Sequence, residues 1–202
     1  MSSAIVGESR FYSTTKRVFD IVVASFMLLF VLPIFLCVAF LIKLDSPGPV
    51  FFRQVRVGKS GVLFSYLKFR TMVVHALEIP TGPVFRMGND ARISRVGRFL
   101  RRTAIDELPV LTNVLRGHMS IVGPRAAFPL DVQHYSPTAL RRLNLRPGIT
   151  GYWQVFGRQA GLADFNKMVE MDLEYENKQS LALDLSIIWL TLRMVLKRTA
   201  AY

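Results

Sequence analysis

The feature that most limits what this chain can be is residues 21–42, a run of 22 residues without a charge. Backbone amides in hydrocarbon must bond within their own segment, and about 20 apolar residues in a helix are what a bilayer core demands. Nothing in the run alternates with polar residues, which disfavours a core helix of a water-soluble protein. A cleavable leader is disfavoured too, since the apolar part is too long and no small-residue cleavage site follows it.

Basic residues flank both ends of the run, with Lys16 and Arg17 before it and Lys43, Arg53 and Arg56 after it. Such symmetry favours a hairpin that enters and leaves on the cytoplasmic side. Pro33, near the middle, removes a backbone donor and clashes with the carbonyl four residues earlier, so a break over 29–32 is expected. A spanning helix kinked at Pro33 fits the same residues, and on them alone both readings stay open. The length of 202 residues allows one compact domain besides the anchor. The expected organisation is a mobile N-terminus over 1–15, a membrane anchor over 16–44 and one domain over 45–202.

A formal charge of +12 accompanies this apolar excess, and 19 arginines against 7 lysines carry it. The guanidinium fork matches phosphate oxygens, so phosphate in nucleic acid, anionic lipid or a substrate is the expected partner. Cys37 is the only cysteine, which excludes a disulfide within the chain and suits a reducing compartment. His75, His118 and His134 are too scattered for a zinc site.

Beyond the anchor, 45–49 is a turn, and β-like stretches at 50–57 and 62–69 with Gly58 and Gly61 between them predict a hairpin. From Arg86 to Arg102 six arginines face one acid, Asp90, with Arg95, Arg98, Arg101 and Arg102 at helical spacing. Anionic lipid accounts for most of that cationic face. Asp106, Glu107 and Pro109 then open an amphipathic pattern marked by Leu108, Leu111 and Leu115. Two acids in a first turn are usually capping residues, but a carboxylate set directly behind arginines shares their positive field with an incoming phosphate. Gly- and Pro-rich loops at 120–125 and 146–158 hold arginines at their ends and lack the P-loop and dinucleotide fingerprints. Residues 181–196 are too short and too interrupted to span, and fit an amphipathic helix with Trp189 near the headgroups.

Taken in order, Lys16-Arg17-x-x-Asp20, Lys68-Phe-Arg-Thr71, Asp106-Glu-Leu-Pro109, Met119-Ser-Ile-Val-Gly-Pro-Arg125 and Arg146-Pro-Gly-Ile-Thr-Gly151, with Gln154-Val and Gly157-Arg158, resemble the bacterial sugar transferase family. These are small monotopic phosphoglycosyl transferases acting on undecaprenyl phosphate at the bacterial cytoplasmic membrane. The resemblance implies a mostly helical α/β fold: a re-entrant helix broken near Pro33, then a small cytoplasmic catalytic domain with interfacial helices and a short β-hairpin. It also implies a ping-pong route in which Asp106 takes the phosphosugar from a UDP-sugar and releases UMP, before undecaprenyl phosphate accepts it. Asp106 and Glu107 would hold Mg²⁺, Arg101, Arg125 and Lys68 the phosphates. Arg146, Pro147, Gly148, Thr150, Gln154, Arg158 and Asp172 would line the nucleotide-sugar pocket.

Two departures stand out. Leu32 replaces the family's serine before Pro33, removing a hydroxyl that could satisfy a freed carbonyl. Ala126 replaces the second proline of Pro-Arg-Pro. Trp153-Gln154 resembles the branch using unmodified hexoses, which favours glucose or galactose. Two readings compete with the transferase: a tethered module binding RNA or lipid without catalysis, and a phosphohydrolase working through an aspartyl phosphate. Aromatic platform motifs of RNA binders are missing, so no nucleic-acid partner is expected.

Overall fold

A computed structural model describes residues 10–74, 90, 92–157 and 164–196. Helix α1 (Arg10–Asp45) is 36 residues long with Pro33 inside it. At 1.5 Å per residue it measures about 54 Å. Proline takes one hydrogen bond from the ladder, which bends a helix without ending it, and helical backbone continues on both sides of Pro33. The helix starts at Arg10, ahead of the expected anchor segment, and its first turns are tied down: Tyr12 and Lys16 both reach Asp184. It is long and apolar enough to cross a membrane.

The sides of α1 differ. Ala24, Leu28, Val31, Phe35, Val38 and Ile42 recur at alternating four- and three-residue steps and pack on the two apolar clusters of the domain. Val22, Phe26, Leu29, Phe30, Leu36, Phe40 and Leu44 stay exposed. Each end of the helix is fastened. At one end Arg17 donates from both Nη atoms to the carbonyls of Val114 and Leu115, 2.6 and 2.9 Å away, and the Asp20 carboxylate accepts from the Ile121 amide. At the other end Asp45 accepts from the Val96 amide at 3.1 Å.

Strands β1 (Phe51–Val57) and β2 (Leu63–Phe69) form the antiparallel hairpin within a residue of the expected bounds. Helix α2 (Arg95–Thr103) follows, and then a tight 3₁₀ turn, Ile105–Val110, leads into the short helix α3 (Leu111–Leu115). Gly117, at φ +85°, ends this run. Strands β3 (Ser120–Val122) and β4 (Gly148–Thr150) pair in parallel, and between them lie the single-turn helices α4 (Pro129–Val132) and α5 (Pro137–Leu140). Helices α6 (Phe165–Lys178) and α7 (Leu181–Leu196) close the chain, α7 having the expected bounds.

One core gathers Val110, Leu111, Val114, Met119, Ile121 and Val122 with Tyr175 and Ile187, around Ala24 of α1. A second joins Val38 and Ile42 of α1 to Phe69 and Leu100. Thus both halves of the apolar helix complete the domain's own core. On α7, Leu185, Trp189, Leu192 and Leu196 form an exposed apolar stripe.

Candidate active site

The hairpin register sets the first wall of the site. Phe52 lies opposite Lys68, Gln54 opposite Tyr66 and Arg56 opposite Phe64, so Arg56, Tyr66 and Lys68 share one face. The edge of β2 rests on α3 through Asn113, which is fully buried: its Oδ1 accepts from the Leu67 amide and its Nδ2 donates to the Ser65 carbonyl. That pair replaces the strand neighbour β2 lacks.

Helix α2 forms the second wall. Ser94 caps it by accepting from the Gly97 amide. Gly97 lies so close to β2's exit that a Cβ there would stand 2.0 Å from the Thr71 carbonyl oxygen. This approach brings Arg101 Nε to 2.9 Å from Thr71 Oγ1. Arg95, Arg98 and Arg102 stay exposed on the outer face beside Phe99. The helix ends on Ala104, held left-handed at φ 55°, a conformation that costs an alanine about 1 kcal/mol or more. The reversal there starts the 3₁₀ turn and swings Asp106 inward, to 5% exposure. The amphipathic helix expected to open on Asp106 and Glu107 is therefore displaced: both acids precede α3 on a separate turn.

Asp106, Glu107, Lys68 and Arg101 act on one another electrostatically. Burial first, and then the Glu107 charge, push the Asp106 carboxyl up to about 6 against the pull of Lys68 and Arg101. Desolvation outweighs the neighbouring cations, although the group still loses its proton below neutral pH. Burial lowers Lys68, while Asp106 and Glu107 raise it. Arg101 is lowered by burial with Asp106 opposing. Asp106 Oδ1 is buried and has no hydrogen-bond partner among the described residues.

Two further residues, missed in the sequence, belong here. Arg56 is buried, donates to the Ala126 carbonyl at 2.9 Å and lies over the Phe128 ring, 3.4 Å from its centroid. Burial and the nearby Arg125 lower its pKa to about 10. Tyr66 is raised by burial and by Glu107. Their place on the Lys68 face follows from period-two alternation once the hairpin is paired, the signal that could have identified them.

The remaining expected residues divide. Arg125 is exposed and acts on Arg56 and Tyr66, so it joins the site. Asp172 makes a buried ion pair with Arg142 at 2.6 Å, and Arg142 in turn donates to Tyr135 Oη and the Arg125 carbonyl. Burial raises Asp172 to about 6 although Arg142 opposes it. Arg146 instead lines a small crevice with Lys16, Asp20 and Lys59. Pro147 accepts from the Ser120 amide, and Thr150 Oγ1 lies 2.7 Å from Thr191 Oγ1 on α7. A Cβ on Gly148 would stand 2.1 Å from the Gly123 nitrogen. The Arg146–Gly151 motif thus makes a backbone crossing that holds the Arg125 loop. Gln154 Oε1 is buried without a hydrogen-bond partner among the described residues. Arg158 lies outside the described residues.

A buried carboxylate, a second acid and converging cations are the groups that chemistry on a diphosphate ester calls for. The family description "Bacterial sugar transferase" matches residues 11–198. The chain belongs to the bacterial sugar transferase family. Among relatives of this family member, the galactosyl transferase CpsE of Streptococcus agalactiae serotype III is 39% identical over 201 residues, covering 95% of this chain and 43% of that protein. The UDP-glucose:undecaprenyl-phosphate glucose-1-phosphate transferase of Escherichia coli K12 is 42% identical over 193 residues, 93% of this chain and 41% of that protein. The exopolysaccharide production protein ExoY of Rhizobium meliloti is 36% identical over 201 residues, 93% of this chain and 88% of that protein. The chain therefore spans about two fifths of the first two relatives and nearly all of the third.

Proposed function

We propose that this chain moves a hexose-1-phosphate from a UDP-sugar to undecaprenyl phosphate through a covalent phosphosugar on Asp106. The observation that carries this reading is the Asp106 carboxylate, buried, with Oδ1 unpartnered among the described residues, in the field of Lys68 and Arg101. An Asp106 oxygen attacks the sugar-linked phosphorus, the bond from that phosphorus to the bridging oxygen breaks, and UMP leaves with the electron pair. An oxygen of the lipid phosphate then attacks the same phosphorus and expels the carboxylate. Lys68, Arg101 and Arg125 offset charge on the phosphates at both steps.

Mg²⁺ suits the donor set. Two adjacent acids with a free buried oxygen, and no cluster of three acidic, histidine or cysteine ligands among the described residues, match an ion that keeps waters and shares substrate phosphates. Asp106 and Glu107 would hold it, and bound there it would neutralise diphosphate charge.

The anchor is re-entrant in this reading, with the domain on the cytoplasmic face of the bacterial inner membrane. Supporting it, both ends of α1 are tied to the same domain, whereas a span would part them by about 30 Å of hydrocarbon. Pro33 lies on the exposed side, near Leu29, away from the Val31 and Phe35 stripe. Opening the helix on that outer side bends both arms toward the domain. The exposed arginines of α2 and the outer stripe of α7 suit anionic headgroups and the interface.

A donor screen tests the reading: the protein in detergent with Mg²⁺, polyprenyl phosphate and a panel of UDP-sugars, followed by UMP release. Glucose or galactose should support turnover, and Asp106→Asn should abolish it. Hexose-1-phosphate released into water without lipid product would instead identify a phosphohydrolase.

A further inference from the structure

A cleft of about 440 Å³ opens beside the catalytic turn, and none of its lining residues comes from α1. It has two chemically distinct parts. Arg56 and Arg125 line it, and the same two arginines act on Tyr66 next to Glu107 and Asp106. Phe128, Tyr135 and Phe165 also line it, with the Tyr135 and Phe165 rings 5.1 Å apart between centroids. Arg142 lines the same cleft, but its charge is matched by buried Asp172, so Arg56 and Arg125 are the cations left to attract an anion. The Nε of Arg56 is buried and has no hydrogen-bond partner among the described residues.

The volume falls within the few hundred to a thousand Å³ typical of small-molecule sites. Arginines beside aromatic rings suit an anion joined to a flat ring. A polyprenyl chain would instead need an apolar channel continuous with the membrane helix. Resting on the function proposed above, we propose that this cleft holds the nucleoside monophosphate half of the nucleotide-sugar donor, the base against Phe165 and Tyr135 and the phosphate on Arg56 and Arg125. Asp131 and His134, also on its wall, face the ribose hydroxyls in this arrangement. The leaving UMP then occupies the cleft after the first step, while the sugar phosphate stays on Asp106. Arg146, on the separate crevice with Lys16 and Asp20, takes no part.

The test is equilibrium binding of UMP and of uridine to the full chain in detergent with Mg²⁺, read by calorimetry and by saturation transfer to the base protons. Base-to-aromatic stacking is worth enough that Phe165→Ala should weaken both ligands roughly ten-fold. Arg125→Gln should weaken UMP by a similar factor and leave uridine nearly unchanged. In turnover, Phe165→Ala should raise the KM for UDP-sugar and leave the KM for polyprenyl phosphate unchanged. Phe165→Leu, which keeps most of the apolar contact, repeats the measurement should the alanine variant fold poorly. Wild-type UMP affinity in the Phe165 and Arg125 variants, in a protein that turns over UDP-sugar, overturns the cleft assignment and leaves the function standing. UMP binding through these residues, in a protein that transfers no phosphosugar, upholds the cleft and sinks the function.

Discussion

Lys16 and Asp184 lie 168 positions apart in the chain, and their side chains meet at 2.6 Å. The Asp184 carboxylate is fully buried and also accepts from Tyr175 Oη at 2.7 Å and Tyr12 Oη at 3.2 Å. The apolar helix is thereby pinned to the last described helix, so Lys16, singled out in the sequence as a topology signal, is a structural partner in the fold. Lys16→Met leaves a buried carboxylate without its cation, which should cost about 3 kcal/mol. Thermal unfolding in detergent measures it, and Asp184→Asn added to Lys16→Met should recover part of the loss. A single variant within 0.5 kcal/mol of wild type, in the range of an ordinary surface change, would remove the pin from the account.

The proposed nucleophile should be a burden on stability. Asp106 has a folded pKa of about 6, above the 3.8 of an unperturbed carboxyl. An acid raised in this way takes up a proton on folding, so its stabilising contribution is full below about 3.8 and is lost as pH rises through about 6. In magnesium-free buffer at pH 7.5, Asp106→Asn should therefore be more stable than wild type, by up to about 3 kcal/mol. The gap should shrink toward pH 4. Denaturant melts at both pH values check this, and a variant less stable than wild type at pH 7.5 contradicts it.

Gly148→Ala should fail to fold or lose more than about 3 kcal/mol, since neither neighbour of the new Cβ can move. That Cβ would stand 2.1 Å from the Gly123 nitrogen and 2.3 Å from the Thr150 oxygen, both backbone atoms. Gly61→Ala is the control: its φ is +79° and nothing lies within 4 Å, so it should cost only about 1 kcal/mol. Expression yield and melting temperature of the two variants separate crowding from backbone strain.

How much of this was legible in the sequence depends on the range of the forces involved. The hairpin and α7 follow from local periodicity and turn residues, with bounds within a residue of those expected, and α2 follows from the helical spacing of Arg95, Arg98, Arg101 and Arg102. Asp106 could be singled out in the sequence because its motif is contiguous. Its setting could not: Ala104 carries no left-handed signal, so the break between α2 and the 3₁₀ turn was invisible, as was the burial that raises the carboxyl. The Arg146–Gly151 loop looked like a ligand loop because Gly-rich sequence serves close approach to phosphate and to backbone equally. The long-range contact of Gly148 with Gly123 shows the second use, and nothing local in the sequence marks it. Arg56 and Tyr66 needed the strand pairing before their shared face could be recognised.

Both ends of α1 are expected in the cytoplasm. With Cys37 replaced by serine, a cysteine introduced before Arg10 should resist a membrane-impermeant thiol reagent in intact cells and react after lysis. Strong labelling from outside would show a span, and would mean that the contacts of Lys16 and Asp20 with the domain do not form in the membrane.

The central claim is the covalent step on Asp106, and intact mass measures it most directly. The full chain is incubated with UDP-glucose or UDP-galactose and Mg²⁺, without lipid, quenched rapidly and weighed. The account predicts a gain of one hexose phosphate, one UMP released per chain, and loss of both in Asp106→Asn. An unmodified chain with no stoichiometric UMP, while the complete reaction with polyprenyl phosphate runs normally, would mean that the lipid phosphate attacks directly and that Asp106 is not the nucleophile.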